Sequence, residues 1–137
     1  MSVNWSKDMN KMHAKYGTHQ AIDKLDKKQL KAFLQFRINF LQEELDEMKK
    51  AAPENQPIDA EEVVDALIDL CVVAIGTLDL FDVDAQAAWR EVLDANMNKK
   101  VGVKSTRPNP LGLPDLVKPE GWVPPIHVGN HGKLSGL

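Results

Sequence analysis

The decapeptide EEVVDALIDL, Glu61–Leu70, continues into Cys71-Val72-Val73-Ala74-Ile75 without a helix breaker. At 3.6 residues per turn, Glu62, Asp65, Asp69, Val72 and Gly76 share one stripe of this helix. The acids therefore lie on the face that should pack, not on the opposite, solvated one. Ionised carboxylates on a packed face are costly unless something positive compensates them.

The counterpart lies upstream. Leu30, Phe33, Leu34, Phe36, Phe40, Leu41, Leu45 and Met48 recur at helical spacing, so a second long helix is expected from about Lys27 to Ala51. Glu44 and Glu47 share its stripe with Phe33, Arg37 and Phe40, and Glu43 sits at the edge. Packed antiparallel, the two helices would bring about four acids into one oxygen-lined pocket. Such a pocket suits hard cations, Mg²⁺ or Mn²⁺. A di-iron bundle would need Glu-x-x-His pairs, and none of His13, His19, His127 and His131 stands at that offset from a helical Glu. Zinc is disfavoured there for the same want of His and Cys. Asp46, Glu54, Glu61 and Asp79 read as solvated surface charges.

The remaining chain frames this pair. A first helix is expected over residues 5–16, ending at Gly17 and followed by a short polar link. Pro53 and Pro57 separate the two long helices, and Asp59 is placed to cap the second, with Glu62 at the capping-box position. A further helix opens after Asp84. Six of the eight prolines and six of the eight glycines lie beyond Lys99, and no segment alternates like a strand. The expected fold is all-α: a four-helix-bundle-type subunit over residues 1–99, and a long non-helical tail over 100–137 within the same domain.

Composition narrows the function. The chain has 137 residues and a net charge of −3, but the sign is unevenly spread. Residues 1–98 carry eleven basic and eighteen acidic groups, whereas 99–137 carry six basic and two acidic ones. Six scattered basic residues are a thin footprint for a nucleic-acid polymer. The longest apolar run, CVVAIG, is too short to span a bilayer, and MSVNWSKDMNK has no signal-like apolar core. With its single cysteine, Cys71, the chain is expected to be cytoplasmic and free of intrachain disulfides.

EELDE (43–47) followed by EVVDALIDL (62–70) resembles the EExxE…ExxD signature of the MazG-like, all-α nucleoside triphosphate pyrophosphohydrolases. This group includes dimeric dUTPase-like and phosphoribosyl-ATP pyrophosphohydrolase branches. Further pieces agree in order: MHAKYG (12–17) is similar to the family's FHxxFG, Arg37 to a frequent basic residue, DANMNK (94–99) to its SNMSK, and LVKPEGWVPP (116–125) to the closing tail of one branch. The resemblance covers roughly residues 9–126 and extends to phage-type members.

The resemblance implies cleavage of a nucleoside triphosphate between the α and β phosphates. Two to three Mg²⁺ or Mn²⁺ ions would be held by Glu44, Glu47, Asp65 and Asp69, with Glu62 as an outer or further ligand. The literal signature names Glu62 and Asp65; spacing back from Asn96 names Asp69, with Ala66 three before it. Glu43 or Glu47 would be the general base. Arg37, Asn96, Lys99, Lys104 and Arg107 would bind substrate, the basic tail closing over it. Trp122 would pack the tail or cover the substrate, and Trp5, His13 and Tyr16 would line a base pocket or a core. A homodimer or homotetramer is implied, with no membrane partner. The favoured substrate is a purine deoxynucleotide, dGTP; the alternatives are phosphoribosyl-ATP hydrolysis and a non-enzymatic acidic helical interaction protein.

Overall fold

The computed structural model describes residues 3–137. Helices dominate: α1 (Trp5–Lys15), α2 (Thr18–Asp23), α3 (Lys27–Ala51), α4 (Ala60–Leu80) and α5 (Ala85–Met97). The all-α expectation therefore holds. Two short strands, β1 (Lys100–Gly102) and β2 (Asp115–Val117), pair antiparallel with Val101 opposite Leu116. Neither was legible as a strand, because three residues show no alternation. The polar link expected after Gly17 is α2. Gly17 sits at φ 71°, a left-handed conformation that costs glycine little and that turns the chain between the two helices. Among the described residues, no helix is long and apolar enough to cross a membrane.

The chain divides into two compact units, one comprising residues up to Ala85 with His131–Leu137, the other Gln86–Asn130. In the first, α3 begins at a reciprocal cap: Asp26 accepts from the Gln29 N–H while the Gln29 side chain accepts from the Asp26 N–H. Asp59 caps α4 by accepting from the Glu62 N–H at 3.2 Å. The two helices meet along matched seams. On α3 the buried residues are Leu30, Arg37 and Glu44, seven apart and thus two turns apart on one side. On α4 they are Ala66, Val73, Gly76 and Leu80.

The pairings fix direction. Phe33 stacks on Phe81, Arg37 bonds Thr77 and Val73, and Glu44 senses Asp69. Numbers rise along α3 as they fall along α4, so the helices run antiparallel. At one end Ile22, Leu30, Leu80 and Phe81 make the apolar core, with Leu25, Phe33, Leu34, Val83, Leu134 and Leu137 packed on it. The C-terminal residues dock here through a short 3₁₀ turn, Gly132–Leu134, where the Lys133 N–H donates to the Phe81 carbonyl at 2.7 Å. A Cβ at Gly132 would lie 1.9 Å from that carbonyl oxygen, so only glycine fits.

In the second unit, α5 leads into the β1–β2 ribbon. Asn109 bridges both backbone groups of Leu113, and Arg107 pairs with Asp115 at 2.5 Å. The Trp122 indole N–H donates to the Ala95 carbonyl at 2.7 Å, and Lys99 and Lys118 lie over its ring. Trp122 thus packs the tail against α5 rather than standing free.

Candidate active site

Above the apolar end, the α3–α4 seam changes character. Glu44 is 9% exposed although it carries a carboxylate, and its Oε2 has no hydrogen-bond partner. Burial pushes the Glu44 carboxyl above its ordinary value; the charges of Glu47, Asp69 and Asp65 and a hydrogen bond with Glu47 push it further. Asp69 is raised likewise, first by burial, then by Asp65 through charge and hydrogen bond, and by Glu47. Glu44, Glu47, Asp65 and Asp69, from two helices, therefore act on one another across the seam. The seam explains the grouping. Asp69 lies between Ala66 and Val73 in the row that packs, whereas Asp65 and Glu47 flank it and remain exposed.

The structure does not bring every candidate into this group. Glu62 and Glu43 are exposed, and neither acts on Glu44 or Asp69. The Glu62 backbone N–H is held by Asp59 at the start of α4.

Arg37, assigned to the substrate from sequence, has other partners here. Its Nε donates to Thr77 Oγ1 at 2.9 Å and its Nη2 to the Val73 carbonyl at 3.0 Å. The guanidinium also lies over Phe40. It is 9% exposed, and burial lowers its pKa from the usual arginine value. Gly76 makes room for it: a Cβ there would lie 3.0 Å from Arg37 Nη2 and from Met9 Cε.

A second polar cluster was not foreseen. Asp79, expected as a solvated charge, is partly buried and bonded on both oxygens. Its Oδ2 meets His13 Nδ1 at 2.6 Å and His19 Nε2 at 2.7 Å, and its Oδ1 accepts from Asn10 Nδ2 at 2.9 Å. Burial alone would raise the Asp79 carboxyl, but the bonds from His13, Asn10 and His19 outweigh it and hold the group below its ordinary value. The expectation failed because Asp79 was taken alone. It stands four residues after Ile75 and seven after Val72, on the apolar side that faces α1. His13 is buried in this cluster, which fits a core role more directly than a base pocket.

Asn96, Lys99, Lys104 and Arg107 all belong to the second unit, with Asn96 and Arg107 exposed and Lys99 and Lys104 half-buried. Arg107 is engaged by Asp115.

The donor set at Glu44, Glu47, Asp65 and Asp69 fits a hard divalent cation. It is all oxygen and negatively charged, and it leaves one buried carboxylate oxygen without a donor. No curated protein and no solved structure matches the chain. Residues 19–96 match the family described as PRA-PH, phosphoribosyl-ATP pyrophosphohydrolase. That span takes in α3, α4, all four crowded carboxylates and most of α5. A nucleotide pyrophosphohydrolase fold accounts for the match: the chain belongs to the phosphoribosyl-ATP pyrophosphohydrolase family, within the MazG-like all-α superfamily.

Proposed function

We propose that the protein hydrolyses a deoxynucleoside triphosphate, dGTP in our reading, between its α and β phosphates, releasing the monophosphate and pyrophosphate. The observation that carries the reaction class is the crowding of Glu44, Glu47, Asp65 and Asp69, with Glu44 buried and one of its oxygens unpartnered. Burial first and the neighbouring acids second raise Glu44 and Asp69, an arrangement unfavourable for folding alone and suited to holding cations. When bound there, two to three Mg²⁺ or Mn²⁺ ions supply charge neutralisation at the phosphates and a more acidic water.

The chain's own groups do the rest. Glu44 and Asp69, on the packed seam, hold their carboxylates in fixed positions; Asp65 and Glu47 flank them from the solvent side. We assign proton acceptance from the attacking water to Glu47, which acts on both Glu44 and Asp69, with Glu43 one turn away as the alternative. Glu62 is assigned to the outer edge of the site. Arg37 stiffens the seam from behind through Thr77 and Val73. Asn96, Lys99, Lys104 and Arg107 are assigned to the phosphates of the substrate. We assign the whole to the cytoplasm, as a homodimer or homotetramer controlling a nucleotide pool.

Phosphoribosyl-ATP is the second reading, favoured by the description of the matching family. Both substrates present the same bond to the same acids. A panel of the eight common NTPs and dNTPs, dUTP and phosphoribosyl-ATP, assayed for pyrophosphate with Mg²⁺ or EDTA, separates them. Turnover of dGTP supports the first reading, and turnover confined to phosphoribosyl-ATP replaces it. No metal-dependent turnover on any substrate, with folded protein, overturns both.

A further inference from the structure

We propose that His13, His19 and Asp79 form a second metal site, selective for a borderline divalent ion such as Zn²⁺ and separate from the all-oxygen site. Three side chains from three helices converge there. His13 comes from α1, His19 from α2 and Asp79 from α4, and one ligand atom of each lies within 4.8 Å of the others. The donor types choose the ion. Two imidazole nitrogens and one carboxylate oxygen make a three-ligand zinc set, whereas Mg²⁺ prefers oxygen alone.

The surroundings support ligation. His13 is 4% exposed and fixed in the helix interface, so its Nδ1 is already oriented. Asn10 holds the second oxygen of Asp79, the kind of outer hydrogen bond that orients a metal-binding carboxylate. An open cleft of about 340 Å³ is lined by Asp79 and Asn10 and gives solvent an approach to the carboxylate. In the hydrogen-bonded arrangement, each ring directs one nitrogen at Asp79 Oδ2. Ligation needs the lone pair at that nitrogen, so the proton of each neutral ring moves to its other nitrogen, and a protonated ring releases one. The ligand atoms must also separate, since 2.6 and 2.7 Å are hydrogen-bond distances and shorter than the spacing of two ligands on one ion. Rotation of His19, the most exposed of the three, opens one contact, and rotation of the Asp79 carboxylate opens the one to His13. The ion would tie α1 and α2 to the end of α4, some ten residues along that helix from Asp69.

The test uses the full chain stripped of metal and titrated with Zn²⁺, with Co²⁺ as a spectroscopic probe. The Asp69→Ala variant removes the acidic site while leaving this one intact, which keeps failure of the two readings apart. Asp69→Ala is expected to retain one Zn²⁺ per chain and to give the visible bands of four-coordinate Co²⁺. In that background, His19→Gln and Asp79→Asn should weaken Zn²⁺ binding by roughly 100-fold or more, and Asn10→Ala by roughly tenfold. Should Asp79→Asn fail to fold, His19→Gln at the periphery carries the test alone. Zn²⁺ affinity unchanged in His19→Gln, or no bound Zn²⁺ in Asp69→Ala, overturns the proposal and leaves the trio as a hydrogen-bonded tie.

Discussion

Glu44 and Asp79 are both acids on α3 or α4, yet their environments drive them in opposite directions. Burial first and neighbouring acids second hold Glu44 above its ordinary 4.5 and Asp69 above 3.8. Asp79 receives three donors and lies below 3.8. The signs follow from linkage. The native chain holds the Glu44 and Asp69 protons more tightly than the unfolded chain does. Their contribution to stability therefore falls as pH rises from the ordinary values through the raised ones. Asp79 contributes fully above 3.8 and loses that contribution as pH falls through its lowered value. In EDTA, thermal midpoints should decline as pH rises from mildly acid toward neutral, and Mg²⁺ should reverse the decline. A flat EDTA profile that ignores Mg²⁺ would contradict this. Glu44→Gln removes the buried charge: the metal-free protein should melt higher, respond little to Mg²⁺ and lose roughly 100-fold or more of its activity, since even outer partners of a metal site cost up to that much. Melting curves paired with pyrophosphate release check both halves.

At the scale of elements, the α3–α4 seam is held by a buried polar contact as much as by apolar packing. Thr77 Oγ1 accepts from Arg37 and donates to the Val73 carbonyl at 2.6 Å. Thr77→Val keeps the shape but leaves the Arg37 Nε without an acceptor. A buried donor so orphaned costs about 1–3 kcal/mol, to be read from urea unfolding. Loss below the error of that measurement would mean that water replaces the hydroxyl. Gly76→Val tests the close approach on the same seam. The added carbons meet Arg37, Met9 and His13, and overpacking of this kind costs about 1–3 kcal/mol. Helix propensity offsets little of that, because valine ranks only slightly above glycine. An unchanged denaturation midpoint would show that the three side chains move aside freely.

For the whole molecule, the exposed faces matter most. Val64, Leu67 and Ile68 on α4 are 62%, 47% and 48% exposed, a concentration of apolar surface on the helix that carries Asp65 and Asp69. Scattered exposed apolar residues are ordinary, but a contiguous patch marks association. With the proposed homo-oligomer using this face, Val64→Lys with Leu67→Lys should shift sedimentation toward the monomer and reduce turnover. A monomeric wild-type chain would remove that assignment.

The long helices and the Asp59 cap were legible because they are local or periodic. Asp59 and Glu62, and the stripe of Phe33, Arg37, Phe40 and Glu44, each lie within a few turns of helix. The all-α class followed, since long amphipathic helices must bury their seams together. What the sequence left open required partners distant along the chain. The inward turn of Arg37 depends on Thr77, forty residues away, and on the space left by Gly76. Asp79 depends on His13, sixty-six residues earlier, and His19, sixty earlier. Periodicity states which face of a helix is buried; only tertiary packing decides which group meets a charge there, and so whether it is repelled, neutralised or bound.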